Sequence, residues 1–502
     1  MKVVVALSGY APLCATPSPA SWVLAMLTIV TASYARTAEP IIRPLPPLAH
    51  AAPDPGEDER EFGTHLQRTM ALLATSTSEH RNHVRILVYG QSISQGDWWK
   101  EVERDLRERF PNADLEMVNR ALGGHASNYL VREAETDVYP FYPDLIIFHV
   151  YGAHTCYEQL IARIRSRTTA EMLITNDHLA AQEAREQGKF VDKDWTKWMA
   201  KWIPLVAGRY GCELVGVREA WKRYVLNNHL VPQDLLSDGI HLNPQGNALY
   251  AELIKRHLVY RPELKEGDVN ATVRTYEVGR DIFWKDGKLT LECNGNRIDA
   301  IVANGGENQS ASVSIDGRKP SDFRECYAFT RTSGIGHILC MFSERTPQVE
   351  DWTLRFTSVD PISQSATYKA IGTRTGTDGE GNSTQRFVSR SGRLVIENAV
   401  EKPQMAIESD FDHLHFADPA LVPGAEITFS CYALHADRFV APPADPGHER
   451  HVTLAQGLIN GKHSIMLTAE GSGNVPLLAL RVYSPPVAAN VPMLYPVTKV
   501  EK

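Results

Sequence analysis

The chain has 502 residues, of which 43% are hydrophobic and 22% are charged, and its formal net charge is −8. A chain of this length exceeds one ordinary hydrophobic core, so two domains with additional segments are expected. The composition is typical of a soluble globular protein, and the negative charge gives no electrostatic reason to propose nucleic acid as a partner.

The first fifty residues differ from the rest of the chain. Lys2 is the only charged residue before Arg36, and residues 21–35 (SWVLAMLTIVTASYA) are apolar. This pattern is typical of a signal peptide, expected here at 1–38, and it predicts a secreted or periplasmic protein. A membrane anchor is the alternative, but the apolar run is short for a span of about 20 residues, so no stable membrane insertion is expected. The proline-rich stretch 39–60 is predicted to be a linker.

The seven cysteines show neither a CxxC motif nor paired metal-type spacing. Loss of the signal peptide would leave six, at positions 156, 212, 293, 326, 340 and 431. Disulfides among the last four are possible in an exported protein, and buried free thiols are the alternative.

From 61 to 262 the chain alternates apolar runs with amphipathic stretches, which predicts one α/β domain. Trp98, Val102, Leu106 and Phe110 recur every four residues and so mark one face of a helix. Strands are predicted at 84–89, 115–119, 144–150, 171–175 and 213–217. Strands that are apolar throughout and separated by helices indicate a parallel sheet covered on both faces. The reactive loops of such a sheet lie at the carboxyl ends of its strands.

In the segment 263–490 the apolar residues recur with a different period, and 491–502 is predicted to be a tail. Short alternating runs are broken by Gly, Asn, Asp and Ser, for example at 288–292 (KLTLE), 311–315 (ASVSI), 393–396 and 425–430. This pattern predicts an all-β sandwich, either one large sandwich or two small ones.

Four unusual stretches fall at strand ends or helix starts of the predicted parallel sheet. Ser92 lies in YGQSIS after the first strand, and Gly123-Gly124 follows the second. Gly152-Ala153-His154 follows the third strand, and Asp238-Gly-Ile-His241 precedes the last helix. These positions predict one shared site.

Each stretch carries a group that acyl-transfer chemistry requires. A serine hydroxyl becomes a good nucleophile when an imidazole takes its proton, and His241 can do this if Asp238 fixes its tautomer. We therefore expect Ser92 Oγ within about 2.6–3.2 Å of a His241 ring nitrogen, or somewhat farther in an empty site. The peptide N–H groups of Ser92 and Gly124, with a side-chain donor from the third loop, are candidates for an oxyanion hole. Asn243-Pro244 is predicted to start the helix behind this pair.

Four features occur in a fixed order along the chain: G-x-S, the glycine after the second strand, the third loop and D-x-x-H. This order resembles that of the SGNH (GDSL-type) hydrolases. These are esterases, lipases and carbohydrate deacetylases, and the resemblance covers roughly 85–258. It implies a flavodoxin-like, three-layer parallel sheet. It also implies Ser92 as nucleophile, Asp238 and His241 as its activating pair, and Gly124 in the oxyanion hole, with no cofactor.

Two residues depart from the family pattern. Gln91 stands where the family has an aspartate before the serine, and His154 stands where it has an asparagine. An imidazole can also donate a hydrogen bond, so we predict that His154 completes the oxyanion hole. Asn176-Asp177 resembles the missing motif, but it follows the fourth strand and is not accepted as a substitute.

A metal site is the alternative use of the histidines, because His149, His154, Asp238 and His241 are residue types found at zinc centres. His149, however, lies within an apolar strand and is interpreted as a hydrogen-bonded core residue. No metal is therefore predicted.

Five further residues are candidates for contact with substrate: Gln91, Trp98, Arg120, Tyr157 and Glu158. Four of them have an ordinary alternative, which is core packing for Trp98, the surface for Arg120 and a solvated helix start for Tyr157 and Glu158.

The sequence thus predicts an exported serine esterase that removes O-acyl groups, acetyl first among them, from a poly- or oligosaccharide. Residues 452–483 resemble the final strands of jelly-roll modules attached to carbohydrate esterases, and the jelly-roll-like β domain is expected to support or shape the site rather than to bind glycan independently. One alternative is a glycoside hydrolase built on the same fold, in which acids such as Glu158 would supply paired carboxylates. Another is a non-catalytic glycan-binding protein.

Overall fold

The computed structural model describes most of the chain beyond the predicted signal peptide. The described residues are 44–54, 59–183, 185–186, 188–192, 194–264, 272–303, 309–338, 341–397, 411–412, 418–443, 445–471 and 475–494. The signal peptide at 1–38, Cys14 and Cys340 lie outside them. The α/β part and the β-rich part that follows belong to one compact unit, Pro44–Lys502.

The α/β part contains seven α-helices and seven strands among the described residues. The helices are α1 (Gln67–Ala74), α2 (Trp98–Arg109), α3 (Ser127–Asp137), α4 (His154–Arg167), α5 (Asp194–Tyr210), α6 (Val217–Asn227) and α7 (Pro244–Lys255). The strands are β1 (His83–Gly90), β2 (Asp114–Asn119), β3 (Leu145–His149), β4 (Glu171–Thr175), β5 (Arg185–Glu186), β6 (Lys189–Phe190) and β7 (Glu213–Val215). Short 3-10 turns lie at Glu59–Glu61, Ser92–Gln95 and Pro232–Leu235.

Five of these strands form a parallel sheet in the order β2-β1-β3-β4-β7. This is the flavodoxin-like order, in which the chain reverses direction across the sheet between β1 and β3. Alternate residues of β1 serve the two faces: Val84 and Ile86 join one apolar core, and Leu87 and Tyr89 join the other. The three-layer fold predicted from the sequence is therefore confirmed.

The β-rich part consists of antiparallel strands. They are β8 (Val273–Glu277), β9 (Trp284–Lys285), β10 (Lys288–Val302), β11 (Ser310–Ile315), β12 (Tyr327–Phe329), β13 (Ser333–Gly334), β14 (His337–Ile338), β15 (Met341–Phe342), β16 (Glu350–Asp360), β17 (Ser365–Gly372), β18 (Gly376–Asn382), β19 (Phe387–Val388), β20 (Val395–Ile396), β21 (Phe411–Asp412), β22 (Glu426–Ala433), β23 (Arg438–Val440), β24 (His451–Glu470) and β25 (Leu477–Tyr483). Two further 3-10 turns lie at Pro320–Asp322 and Arg324–Cys326.

Two larger sheets dominate this part, one built on β23-β11-β24-β10-β25-β8 and one on β12-β22-β16-β17-β18. Each has its own apolar core, around Leu289 and Leu467 in the first and around Trp352 and Tyr368 in the second. The described β-rich part thus has two separate apolar cores.

Polar contacts join the β-rich part to the α/β part. Arg331 Nε donates to Asp137 at the end of α3 over 2.8 Å, and a ring nitrogen of His337 lies 2.9 Å from Glu133. Gln456 on β24 donates to the carbonyl oxygen of Pro140 over 2.8 Å. The β-rich part thus packs on the flank of the sheet that carries α3.

The segments at either end of the described chain also pack on the α/β part. Gln245 of α7 accepts from the backbone N–H of Ala49 and donates to Pro47, each over 2.9 Å. At the other end, the N–H of Leu494 donates to the buried carboxylate of Glu158 over 2.6 Å. The described portion of the predicted linker is therefore bound along the domain.

The described cysteines are free thiols. They are Cys156, Cys212, Cys293, Cys326 and Cys431. For the three of the last four positions that the structure describes, free buried thiols are thus the correct alternative. Within the described chain, no helix has both the length and the apolar character needed to cross a membrane.

Candidate active site

A cavity of about 810 Å³ opens at the carboxyl edge of the parallel sheet, where the loops after β1, β2, β3 and β4 meet. All of its described lining residues belong to the α/β part. They are Gln91, Ser92, Ile93, Gly123, Gly124, His149, Tyr151, Gly152, His154, Asp177, His178, Ala180, Gln182, Glu183, Ile240 and His241. Four residues predicted from distant stretches of sequence thus line one cavity: Ser92, Gly124, His154 and His241.

Ser92 reaches this cavity because β1 ends in a close approach to β3. A Cβ added to Gly90 would lie 2.0 Å from the carbonyl oxygen of His149, so only glycine fits there. The chain then turns sharply, since the N–H of Ser94 donates to the carbonyl of Gln91 over 2.9 Å. Ser92 begins this 3-10 turn and is partly exposed, whereas Gln91 and Ser94 are buried.

His241 is held by Asp238 in the orientation that a general base requires. Its Nδ1 lies 2.7 Å from one carboxylate oxygen, and the other oxygen accepts the N–H groups of Ile240 and His241, each over 2.7 Å. The hydrogen bond from the His241 ring, followed by these backbone N–H groups, holds the pKa of Asp238 well below its usual range. Because the ionised carboxylate accepts from Nδ1–H, the Nε2 lone pair is available to take a proton.

The helix behind this pair starts as predicted. Asn243 caps α7 by accepting the N–H of Gly246 over 2.9 Å, and Pro244 occupies the first helical position. The carbonyl of His241 accepts from the backbone N–H of Ser237 over 2.7 Å. The loop that carries His241 is thus closed at its base and anchored to a helix.

A second loop holds the His241 loop from the side. His178 donates from Nε2 to the carbonyl of Ile240 over 2.7 Å, and the N–H of Ala181 donates to the carbonyl of Gly239 over 2.9 Å. Burial lowers the pKa of His178 to about 4, so the ring is neutral at pH 7. The role of His178 could not be predicted from the sequence, because nothing near it shows that the loop after β4 meets the loop before α7.

Ser92 and His241 face one cavity, but in the described structure no hydrogen bond joins the serine hydroxyl to the imidazole. The hydrogen bond of 2.6–3.2 Å predicted between Ser92 Oγ and His241 is therefore not formed in this structure. Catalytic hydrogen bonds are often long without substrate and tighten when it binds. Proton transfer requires Oγ and Nε2 to come together at that step.

Three candidate hydrogen-bond donors line the cavity that Ser92 enters. Gly124 has φ +81°, a conformation that favours glycine, and its N–H and that of Ser92 donate to no other described residue. His154 is the first residue of α4, with its ring edge-on to Trp202 at 4.8 Å. Burial lowers the pKa of His154 to about 4, so at neutral pH its ring carries one N–H. The cavity thus contains the groups of the predicted oxyanion hole.

A second histidine–aspartate pair lies in the cavity floor. His149 is 2% exposed at the end of β3, and its Nε2 is 3.0 Å from Asp177 while its Nδ1 is 3.3 Å from the side-chain nitrogen of Gln91. Burial acts to raise the pKa of Asp177, but the hydrogen bond to His149 and the nearby charges outweigh it, so the pKa is lowered. His149 is a hydrogen-bonded core histidine, as predicted, although it also reaches the cavity. Asn176 instead accepts the N–H of Arg218 over 2.9 Å.

Of the five candidates for substrate contact, only Gln91 lines the cavity. Trp98 and Tyr157 are each 1% exposed, and Trp98 donates to the carbonyl of Ile93 over 2.7 Å. Arg120 donates to the carbonyl of Asp137 over 2.6 Å and lies over Phe141. Glu158 is a residue of α4; it is fully buried, and its carboxylate accepts a hydrogen bond from Tyr210 over 2.9 Å. These four side chains therefore support the fold. The sequence places them near strand ends, but it does not show which way they point.

No protein-family model matches the chain, and no curated protein matches its sequence. Solved structures do resemble it. A two-domain esterase (CEX) active on acetylated mannans is 14% identical over 84% of this chain and 95% of that one, with a TM-score of 0.31. The acetyl xylan esterase AlAXEase is 19% identical over 35% of this chain and 100% of that one, with a TM-score of 0.30. Axe2, an acetylxylan esterase from Geobacillus stearothermophilus, is 15% identical over 37% of this chain and 98% of that one, with a TM-score of 0.31.

Proposed function

We propose that this protein is an exported serine esterase that removes O-acyl groups, acetyl first among them, from a poly- or oligosaccharide. The observation that carries the proposal is the arrangement around one cavity of Ser92, Gly124, His154 and a His241 whose Nδ1 is already paired with Asp238. The site lies where the strand order reverses, which is where open α/β sheets bind their ligands.

The chemistry follows from these positions. His241 Nε2 takes the proton of Ser92 as Oγ attacks the acyl carbonyl carbon, and the carbonyl oxygen becomes an oxyanion. The N–H groups of Ser92 and Gly124 and the ring N–H of His154 donate to that oxyanion. The intermediate expels the sugar oxygen, which receives the proton from His241, and leaves an acyl group on Ser92.

Water completes the cycle by the same proton route. His241 removes a proton from water as it attacks the acyl-serine, and it returns that proton to Ser92 when the carboxylic acid leaves. The exposed rim formed by Tyr151 and Ile240 gives the acyl group an apolar surface, since these side chains are 41% and 51% exposed at the cavity. Export rests on the apolar leader at 21–35, and a carbohydrate substrate rests on the resemblance carried by the four motifs.

The glycosidase alternative needs two carboxylates that face the substrate. Glu158, which motivated it, accepts from Tyr210 and Leu494 and does not line the cavity. Of the acids that do, Asp177 is paired with His149, and Glu183 is paired with Arg218. These contacts favour the esterase.

Hydrolysis of p-nitrophenyl acetate and of an acetylated oligosaccharide tests the proposal, with wild type compared to Ser92→Ala and Ser94→Ala. Ser94 is a matched control because it lies in the same turn, is buried and does not line the cavity. We expect Ser92→Ala to lower kcat by about 10³-fold or more and Ser94→Ala to remain within about ten-fold of wild type. Glycoside turnover that survives Ser92→Ala would favour the glycosidase, and glycan binding without turnover of either substrate would favour a binding protein.

A further inference from the structure

A second large cavity lies at the opposite edge of the parallel sheet. It measures about 700 Å³ and is enclosed by residues at the amino ends of β1 and β3 together with residues of β8, β10, β24 and β25. His83 starts β1 and borders this cavity, whereas Ser92 follows the end of the same strand. A strand of eight residues rises about 3.3 Å per residue, so the two cavities are separated by roughly 20 Å of sheet.

The charges around this cavity are unequal. Five arginines line it, at positions 68, 85, 274, 297 and 481, against the three carboxylates of Glu116, Asp144 and Glu449. His83 is also protonated at neutral pH, because hydrogen bonds to Asp114 and Glu116 raise its pKa to about 9, and its ion pair with Asp114 offsets that charge.

Arg297 is buried in the cavity wall with one side of its guanidinium unsatisfied. It is 6% exposed, and it lies 5.0 Å from the ring of Tyr142 and 4.8 Å from that of Tyr483. Nε and Nη2 donate to Asp299 over 3.1 Å and 2.7 Å, while Nη1 has no acceptor among the described residues. This nitrogen is itself open to the cavity, so its N–H is available to a ligand there.

Arg85 faces the same cavity with two unsatisfied terminal nitrogens. Nε donates to Glu116 over 3.2 Å, and the guanidinium lies 4.1 Å from the ring centre of Phe141, but no described residue accepts from Nη1 or Nη2. Burial lowers the pKa of Arg85, Glu116 opposes this, and the charge of Arg297 lowers it further. Arg85 and Arg297 thus line the same cavity, and each carries N–H groups that no described residue accepts.

We propose that this cavity binds a saccharide bearing a carboxylate, such as a hexuronate. The planar guanidinium of Arg85 matches a carboxylate geometrically, and the positive charges of Arg85 and Arg297 favour an anion in this cavity. The volume lies within the range of small-molecule sites and exceeds what a bare anion fills. Thr275, Thr453 and Asn82 supply polar groups for hydroxyls, and the rings of Tyr142 and Tyr483 supply apolar surface.

Calorimetric titration of the full chain with D-glucuronate, D-glucose, acetate and sulfate tests this proposal. We expect glucuronate to bind, with glucose, acetate and sulfate each at least ten-fold weaker. Arg85→Gln removes the free fork and should weaken glucuronate binding about ten-fold or more. Arg355→Gln is the matched control, since Arg355 is an exposed arginine of the other large sheet, paired with Glu426, and it should bind like wild type.

Arg274→Glu provides a second variant in case Arg85→Gln fails to fold. Arg274 is exposed at the rim and contacts Tyr276 without an ion pair among the described residues, so reversing its charge leaves the interior intact. It should weaken glucuronate binding about two- to five-fold. Glucose binding as tight as that of glucuronate, equal binding of acetate or sulfate, or an unchanged Kd in folded Arg85→Gln would each overturn the proposal.

Discussion

His178 donates a hydrogen bond of 2.7 Å to the carbonyl oxygen of Ile240, the residue that precedes the proposed general base. The loop after β4 thereby fixes the position of the loop before α7, even though 62 residues separate the two partners. The partner of a catalytic base is usually sought among carboxylates, but here the backbone that carries the base is itself held by a neutral imidazole.

Replacement of His178 should therefore act on catalysis through His241. We expect His178→Ala to lower kcat about ten-fold or more with a smaller change in KM, because the imidazole of His241 is then misplaced. His178→Gln retains a side-chain N–H near the Nε2 position and should recover most of that loss. Steady-state kinetics on an acetyl ester measures both, and equal losses in the two variants would show that the hydrogen bond is not what matters.

The same residue predicts how stability depends on pH. Burial lowers the pKa of His178 to about 4 in the folded protein, whereas an unperturbed imidazole titrates near 6.5. Because the unfolded chain takes up this proton first, the contribution is fully present above pH 6.5 and is lost as pH falls from 6.5 towards 4. The loss amounts to about 3 kcal/mol at most. Urea unfolding at several pH values should show a shallower decline for His178→Gln, and parallel curves would contradict this assignment.

Two histidines of one cavity, His149 and His241, are each paired with an aspartate, and the structure distinguishes the two pairs by exposure. The side chains of His241 and Asp238 are 47% and 55% exposed, whereas that of His149 is 3% exposed. Asp238→Ala should lower kcat about 10³- to 10⁴-fold with little change in the free energy of unfolding. Asp177→Ala removes the acceptor of a buried N–H and should cost about 1–3 kcal/mol of stability while kcat falls less than ten-fold. The reverse pattern would make His149 the catalytic base.

Variants of His154 test the proposed oxyanion hole. His154→Ala removes one donor and should lower kcat about 10²-fold with KM nearly unchanged. His154→Asn restores the residue type that the SGNH resemblance implies and should retain more activity than alanine. Because burial already lowers the pKa of His154 to about 4, neither variant should alter the pH profile of kcat above pH 6. A profile that shifts in this range would instead assign His154 a role in proton transfer.

The parallel sheet could be predicted closely because its signals are local. The predicted strand at 84–89 compares with His83–Gly90, and the one at 171–175 coincides with Glu171–Thr175. Continuous apolar runs and the residues that end them contain this information.

Other features depend on packing between distant segments, and local patterns do not contain them. β10 alternates from Lys288 to Cys293 and is buried on both faces beyond Gly295, where Asn296 accepts from Tyr142 of the α/β part over 2.7 Å. The alternation with a period of two therefore covers only about half of β10. In the same way, Glu158 and Arg120 looked available for substrate, but their partners are separated from them by 52 and 17 residues.

Covalent labelling measures the central claim most directly. The full chain would be incubated with a fluorophosphonate, which forms a stable bond to activated serine hydroxyls, and digested for peptide mass mapping. We predict a single adduct on Ser92, with labelling slowed by about 10³-fold or more in His241→Asn. An adduct on another residue, or esterase activity that persists while Ser92 stays unlabelled, would contradict the account.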